Sequence, residues 1–150
     1  MKRSAFTLVE LLVVISIIGL LSTIAIVSLN SARAKSRDTK RMADLKQIST
    51  AIELFSDANG YLPRNTAGWC TTISDVTNGW GAAFQGDLSP YLSKVPLDPL
   101  YKNTSTDYLY SNVDNKNKYT LCANLENSSS GSFGMCGRFT DNYCISPNGT

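Results

Sequence analysis

The feature that most constrains this chain is an uninterrupted apolar segment near its N-terminus. From Leu11 to Leu29 there are 19 consecutive residues without a charge, most of them Leu, Ile or Val. At about 1.5 Å per residue, a helix of this length spans roughly 29 Å, close to the ~30 Å hydrocarbon core of a bilayer. Because lipid offers the backbone no hydrogen-bonding partner, a single spanning segment must be helical. The segment is therefore either a membrane helix or a signal sequence.

The overall composition of the chain gives no indication of this apolar segment. The 150 residues carry 14 basic and 12 acidic side chains, a formal charge of +2, and 43% of them are hydrophobic. The absence of histidine excludes a Ser-His-Asp triad, a Cys-His pair and any His-ligated metal centre. The small net charge gives no support to nucleic acid as a partner.

The flanks of the apolar segment distinguish a retained helix from a discarded signal. An ordinary secretory signal has an apolar stretch of about 7–15 residues, followed by a small-residue cleavage site. Residues 32–34 (Ala-Arg-Ala) resemble such a site, but the apolar run is longer and Glu10 lies at its front edge. A charge inside a membrane span costs roughly 2.5–3.5 kcal/mol. In a signal peptide that is removed, no later function of the charge offsets this cost. The pattern favours a retained helix over simple secretion.

The residues around Glu10 carry a family resemblance. The stretch 2–12, Lys-Arg-Ser-Ala-Phe-Thr-Leu-Val-Glu-Leu-Leu, resembles the class III signal of type IV pilins and their pseudopilin relatives. In that family a short basic leader is removed on the cytoplasmic side, and the apolar helix is kept as membrane anchor and later as filament core. The resemblance implies cleavage between Ala5 and Phe6 by a prepilin peptidase, with N-methylation of Phe6. The family usually has Gly before the cut, where this chain has Ala5.

Glu10 is the residue at which the family pattern and the physical argument meet. Cleavage creates an amine at Phe6, and a carboxylate in lipid is tolerated when it faces a positive charge on a neighbouring helix. If each subunit is stacked one step along from the last, Glu10 of the incoming copy comes near the Phe6 amine of its neighbour. We therefore expect Glu10 and Phe6 to set the register of a helical filament. The alternative is that Glu10 lies at headgroup level and snorkels.

After Asn30 the chain turns polar but keeps a helical pattern. Apolar residues recur at spacings of three, four and three, namely Leu45, Ile48, Ile52 and Phe55. Such spacing predicts one apolar face of a helix. Asn59-Gly60 supplies a stop signal, and Pro63 follows. The sequence therefore predicts one helix from about residue 6 to residue 58.

A basic cluster near the start of this extension allows two interpretations. Five cations lie within nine residues: Arg33, Lys35, Arg37, Lys40 and Arg41. They suit anionic headgroups or DNA, or they form a solvated helix face beside the membrane, which is the favoured interpretation. The cluster outweighs Lys2 and Arg3 and so opposes the positive-inside rule. The leader motif, which specifies cytoplasmic processing, decides the orientation.

The remainder of the chain has short strand-like segments. Residues 107–111, 119–123 and 139–145 alternate in strand fashion, with a turn at 114–117, and 80–92 includes a short helical turn. The sequence predicts an α+β fold in which a long N-terminal helix, first transmembrane and then amphipathic, packs on a small antiparallel sheet. The expected organisation is a leader at 1–5, a transmembrane and filament-core helix at 6–29, its amphipathic continuation at 30–60 and an extracytoplasmic head at 61–150.

The head carries a second resemblance. Three segments look like the head of major pseudopilins of type II secretion and related small pilins: 61–63 (Tyr-Leu-Pro), 95–99 (Val-Pro-Leu-Asp-Pro) and 108–110 (Tyr-Leu-Tyr). With the N-terminus, the resemblance covers residues 1–125. In that family a calcium ion can organise the C-terminal loops. Asp107, Asp114 and Asp141 are candidate oxygen donors, but no loop spacing marks a site, so no metal and no cofactor is assigned.

Four cysteines all fall in the head: Cys70, Cys122, Cys136 and Cys144. An even number in a region predicted to lie outside the cytoplasm indicates two disulfides, with three possible connectivities. If strands 119–125 and 139–145 pair antiparallel, Cys122 lies opposite Cys144, which leaves Cys70 for Cys136. The chain lacks the CxxC spacing of zinc sites and a histidine to activate a cysteine, so neither zinc nor catalysis is favoured.

The sequence favours a structural subunit rather than an enzyme. We expect a single-pass protein of the cytoplasmic or inner membrane that is surrounded by lipid and then extracted by an assembly platform into a helical homo-oligomer, outside the cell or in the periplasm. A type IV pilus subunit is placed ahead of a type II secretion pseudopilin. Asp98-Pro99 favours the pseudopilin, and two disulfides favour the pilus. The alternative from another class is a membrane-anchored binding domain that never polymerises, with Trp69, Trp80 and the tyrosines as its ligand surface.

Overall fold

The computed structural model describes residues 6–65, 70–73, 80–101, 107–112, 118–127 and 142–147. The chain divides into two compact units, Met1–Ser36 and Arg37–Thr150. The described part of the first unit is helical from Leu8 onward, and the second unit contains the rest of that helix, a shorter helix and a small sheet.

Helix α1 runs from Leu8 to Asn59, close to the predicted bounds. Within the first unit, every side chain from residue 6 to residue 33 is exposed. The most apolar window of α1 has a mean hydropathy of 2.7 and is 0% buried, so by length and composition the helix is suited to cross a membrane. The hydroxyls of Ser16 and Ser22 donate to the carbonyls of Val13 and Ile18, both at 2.7 Å, which satisfies these polar groups inside the helix as lipid requires.

In the second unit, α1 buries the predicted apolar face. Leu45, Ile48 and Ile52 are completely buried, and Phe55 nearly so. They share one core with side chains from the rest of the unit, among them Ile73, Phe84, Leu88, Tyr108, Tyr110 and Leu121. Helix α1 ends at Asn59, and the next residue, Gly60, has a φ of 76° and donates its N–H to the Ser56 carbonyl at 2.8 Å. The predicted helix stop is therefore a glycine in the left-handed region.

The sheet has four antiparallel strands in the order β1-β2-β3-β4. The strands are β1 (Thr71–Thr72), β2 (Leu109–Ser111), β3 (Thr120–Ala123) and β4 (Tyr143–Ile145), and α2 (Trp80–Leu88) lies between β1 and β2 in the chain. The predicted α+β class, a long helix with a small antiparallel sheet, is confirmed. Strand β1 was not predicted and lies in a segment that was expected to be a connection. It has only two residues, which is too few to show the alternation of apolar and polar side chains that indicates a strand. The predicted turn at 114–117 and the start of the segment 139–145 lie outside the described residues.

Candidate functional site

The first turn of α1 is closed by Thr7 and Glu10. The N–H and the hydroxyl of Thr7 donate to Glu10 Oε2 at 2.8 and 2.7 Å. In return, the N–H of Glu10 donates to Thr7 Oγ1 at 3.3 Å. This reciprocal arrangement is a capping box, which satisfies backbone donors that a helix start leaves free. The Thr-x-x-Glu spacing signals this box in the sequence, where Glu10 was expected either to face a neighbouring copy or to lie at headgroup level.

The exposure of Phe6 and Glu10 determines whether a second copy can reach them to form the expected register contact. Phe6 is 85% exposed and Leu8 78% exposed, and the capping box lies on the surface of the helix. Both residues of the expected contact, Phe6 and Glu10, are therefore accessible to a second copy. Ala5, on the other side of the expected cleavage point, lies outside the described residues.

Arg41 lies at the centre of an ionic network in the second unit. Its Nε and Nη2 donate to Asp98 at 2.6 and 3.2 Å. Its Nη1 donates to Asp38 at 2.8 Å and to Glu126 at 2.9 Å. Arg41, Asp38 and Asp98 are all buried. Because the planar guanidinium meets one carboxylate at two points, the contact is both strong and directional.

The network extends along α1 to Arg37 and across to the segment after β3. Nε and Nη2 of Arg37 donate to the two oxygens of Glu126 at 2.7 and 2.6 Å. Asp38 accepts the backbone N–H groups of Glu126 and Asn127 at 2.9 and 3.0 Å. Two cations of the basic cluster are thus bound to carboxylates, and the interpretation of the cluster as a solvated face is wrong for Arg41. The network fastens the C-terminal half of α1 to Asp98 and to the segment after β3.

The network also fixes the ionisation of its members. Burial raises the pKa of Asp38, but hydrogen bonds from Glu126, Asn127 and Arg41 outweigh this effect and hold the pKa below its ordinary value. The hydrogen bond from Arg37 lowers the pKa of Glu126, against a smaller effect of burial. Burial lowers the pKa of Arg41, but Asp98 and Glu126 more than reverse this and raise it. All three groups are charged at neutral pH.

A cavity of about 200 Å³ opens beside this network. It is lined by Arg41, Asp98, Leu100, Asn124, Leu125 and Glu126. The carboxylates in its wall are already bound by Arg41, so they are not arranged as ligands for a cation. Within the described ranges, no group of three His, Cys, Asp or Glu side chains is placed to hold a metal ion. Asp107 is described and buried, whereas Asp114 and Asp141 lie outside those ranges.

A disulfide crosses the sheet between Cys122 and Cys144. These residues lie directly opposite each other in the register of β3 and β4, the arrangement from which their pairing was expected. Cys70 is also disulfide-bonded, and its expected partner, Cys136, lies outside the described residues. Of the ligand surface of the alternative hypothesis, Trp69 and the side chain of Trp80 lie outside the described residues. The tyrosines are described, and Tyr108, Tyr110 and Tyr119 are buried in the core, whereas Tyr61 and Tyr101 are exposed.

Comparison with known proteins identifies the N-terminus. Residues 1–26 match the family model for the prokaryotic N-terminal methylation motif. Over 120 residues the chain is 27% identical to the type II secretion system core protein G of Escherichia coli (strain K12), covering 80% of this chain and 79% of that protein. The chain therefore carries the prepilin-type N-terminal motif and is similar to core protein G over most of its length.

Two further core G proteins show the same similarity. That of Pseudomonas aeruginosa is 28% identical over 98 residues, 65% of this chain and 68% of the relative. That of Vibrio cholerae is 24% identical over 115 residues, 77% and 75% of the two chains. No solved structure matches the chain significantly. The matches to core protein G confirm the resemblance to pilins and major pseudopilins.

Proposed function

We propose that this chain is the structural subunit of a pilus-like filament and, within that class, a major pseudopilin of a type II secretion system. The observation that carries the proposal is the methylation motif at residues 1–26 together with a helix whose side chains from 6 to 33 are all exposed. An apolar surface of this size needs lipid or other helices to cover it. In a subunit that is first held in a membrane and then polymerised, lipid covers this apolar surface before assembly and neighbouring helices cover it afterwards.

The proposed steps of processing and assembly follow from this order. A prepilin peptidase removes residues 1–5 at the cytoplasmic face, and Phe6 is N-methylated. The helix then holds the head outside the cytoplasm until an assembly platform extracts the subunit into a periplasmic or extracellular filament. In the filament, Glu10 of the incoming copy meets the Phe6 amine of its neighbour. The disulfides at Cys70, Cys122 and Cys144 fit a head outside the reducing cytoplasm.

The pseudopilin is preferred over the pilus subunit because the matched relatives are core G proteins. The pilus subunit stays the second candidate, favoured by the disulfides in so small a head. In either case the proposed role is structural rather than enzymatic. Deleting the gene distinguishes the two candidates, because loss of an exported enzyme from the medium supports the pseudopilin and loss of surface fibres alone supports the pilus.

The mature N-terminus tests whether the chain polymerises at all. Mass spectrometry of the protein purified from membranes is expected to find N-methylated Phe6 as the first residue. A host without prepilin peptidase is the control, and there the chain must start at Met1. A start near Lys35, or an intact Met1 in the processing-competent host, contradicts the proposal and favours the non-polymerising binding domain.

A further inference from the structure

Strand β4 is the least buried strand of the sheet. It consists of Tyr143–Ile145, and all three residues are only half-buried, whereas the three residues of β3 that are paired with them are buried. Because so short a strand buries little apolar surface, packing alone holds it weakly. The disulfide between Cys122 and Cys144, which are 22 positions apart, adds a covalent link between β4 and β3.

The segment after β3, residues 124–127, is held on one side by the residue that precedes β4. Asn142 Oδ1 accepts the N–H of Leu125 at 2.6 Å, and Asn142 Nδ2 donates to the Leu125 carbonyl at 2.7 Å. The side-chain amide thus meets both backbone groups of one residue, as a neighbouring strand would. Since Asn142 directly precedes Tyr143, the two bonds depend on the position of β4.

On its other side, the segment after β3 is bound to α1. The backbone N–H groups of Glu126 and Asn127 donate to Asp38 at 2.9 and 3.0 Å, and the Asn127 side chain donates to the same carboxylate at 3.0 Å. The Glu126 carboxylate accepts hydrogen bonds from Arg37 and Arg41. Four consecutive residues therefore carry two attachments, one to β4 and one to α1.

We propose that the Cys122–Cys144 disulfide is a redox switch that controls how firmly α1 is attached within the second unit. The disulfide keeps β4 on the sheet, β4 positions the segment after β3 through Asn142, and that segment binds Asp38 of α1. When two attachments order the same short segment, each lowers the entropic cost of forming the other, so the two are coupled. Oxidation therefore strengthens the attachment of α1, and reduction weakens it. The switch operates in a single subunit, so it does not depend on the proposed function.

A dithiol reduces this disulfide in two exchange steps. Cys144 is half-buried and Cys122 is only 4% exposed, so the first thiolate of the reductant attacks Sγ of Cys144, and Cys122 leaves as a thiolate. The second thiolate of the reductant attacks its own sulfur in the mixed disulfide, Cys144 leaves as a thiolate, and the reductant becomes a disulfide. Both cysteine thiolates then take a proton from water. A protein disulfide forms the bond again by the reverse steps and is itself reduced to a dithiol.

The equilibrium with dithiothreitol, measured on the full-length chain in detergent, tests the coupling. Alkylation and mass spectrometry of the peptide that contains Cys144 give the reduced fraction. Because coupling is reciprocal, Asp38→Ala, which frees the segment after β3 from α1, is expected to raise the equilibrium constant for reduction about tenfold.

The control for a general loss of stability is Ile73→Val. Ile73 is a core residue next to β1, at the opposite edge of the sheet from β4, and its equilibrium constant is expected to stay within about twofold of wild type. Both variants are compared where circular dichroism shows them folded. Equal shifts in the two variants, or no shift in Asp38→Ala, overturn the proposal.

Amide hydrogen exchange measures the coupling in the other direction and needs no change in α1. In the variant with Cys122→Ala and Cys144→Ala, the amides of the segment after β3 and those of residues 37–44 are expected to exchange about a hundredfold faster than in the oxidised wild type. The amides of residues 48–55, where α1 is held by the core, are the internal control and are expected to change much less. Faster exchange in the segment after β3 alone contradicts the link to α1. A uniform increase along α1 shows a general loss of stability and contradicts the switch.

Asn142→Ala tests the link between β4 and the segment after β3 while the disulfide stays intact. Because the two bonds to Leu125 are lost, exchange at residues 124–127 and 37–44 is expected to rise about tenfold. Unchanged exchange at residues 37–44 in this variant shows that Asn142 does not transmit the effect and overturns the proposed route.

Discussion

The guanidinium of Arg41 holds the carboxylate of Asp98 through two hydrogen bonds, from Nε at 2.6 Å and from Nη2 at 3.2 Å. Asp98 Oδ1 also accepts the N–H of Leu100 at 2.7 Å, so the same carboxylate shapes its own loop. Both members of the pair are buried. Removing one partner from such a pair leaves the other charge without compensation in a poorly solvated site, and this asymmetry makes the contact testable.

Arg41→Ala is expected to lower the free energy of unfolding of the head by about 3–5 kcal/mol, because Asp38 and Asp98 stay buried without their cation. Urea denaturation of the detergent-solubilised chain, followed by tyrosine fluorescence, measures the change. Arg37→Ala is the matched control, since its pair with Glu126 is partly exposed, with side-chain exposures of 29% and 30%. Its loss is expected to be clearly smaller. Equal losses in the two variants contradict a special role for the buried pair.

The stability of the head is expected to fall in acid, and Asp38 accounts for part of the loss. Because the pKa of Asp38 and that of Glu126 are lowered by folding, their contribution is complete above the ordinary values of 3.8 and 4.5 and is lost as the pH falls below them. Unfolding free energies between pH 7 and pH 3 are expected to show this decline. Asp38→Asn is expected to be less stable than wild type at pH 7 and to lose less on acidification. An unchanged slope in the variant assigns the decline to other carboxylates.

The features that sequence analysis predicted are those with a local signal. The bounds of α1 follow from an uncharged run, a 3-4-3 apolar spacing and the Asn59-Gly60 stop, all visible within a few turns. The pairing of Cys122 with Cys144 was expected once two short segments were assigned as antiparallel strands. The bounds of the helix depend on neighbouring residues, and the disulfide depends on two strand patterns that are each local, although the cysteines are 22 positions apart.

The features that sequence analysis missed depend on residues far apart or on very short segments. Arg41 and Asp98 are separated by 57 positions, and the sequence around either residue does not indicate that the two form an ion pair. As a result, a basic cluster looked solvated although burial and ion pairing determine the environment of Arg41. Strand β1 has only two residues, Thr71–Thr72, and its pairing with β2 decides its conformation. The capping box of Thr7 and Glu10 is different, because its spacing is a local signal that the search for a neighbouring partner overlooked.

Gly60→Ala is expected to destabilise the head by about 1 kcal/mol, because a φ of 76° is unfavourable for a residue with a Cβ. A Cβ at this position would meet no atom within 4 Å, so the cost is conformational and not steric. Gly86→Ala is the matched control, since Gly86 lies in α2 and a Cβ there also meets nothing within 4 Å. That change is expected to stabilise the head by roughly 0.5–1 kcal/mol. Thermal unfolding followed by circular dichroism measures both, and shifts of the same sign contradict this explanation.

Glu10 has two separable roles, a cap for its own helix and a charge for a neighbouring copy. Glu10→Ala removes both and is expected to leave a cleaved, membrane-inserted subunit that assembles poorly. Glu10→Gln retains a side chain that can complete the capping box but loses the charge. If the Phe6 amine of the neighbour is the essential partner, the Gln variant also assembles poorly, whereas Thr7→Ala, which breaks the box and keeps the charge, assembles better than either. The yield of sheared filaments, normalised to processed subunit in the membrane, measures all three. Normal yield from Glu10→Ala would show that register is set elsewhere, and normal yield from Glu10→Gln alone would assign the effect to the cap.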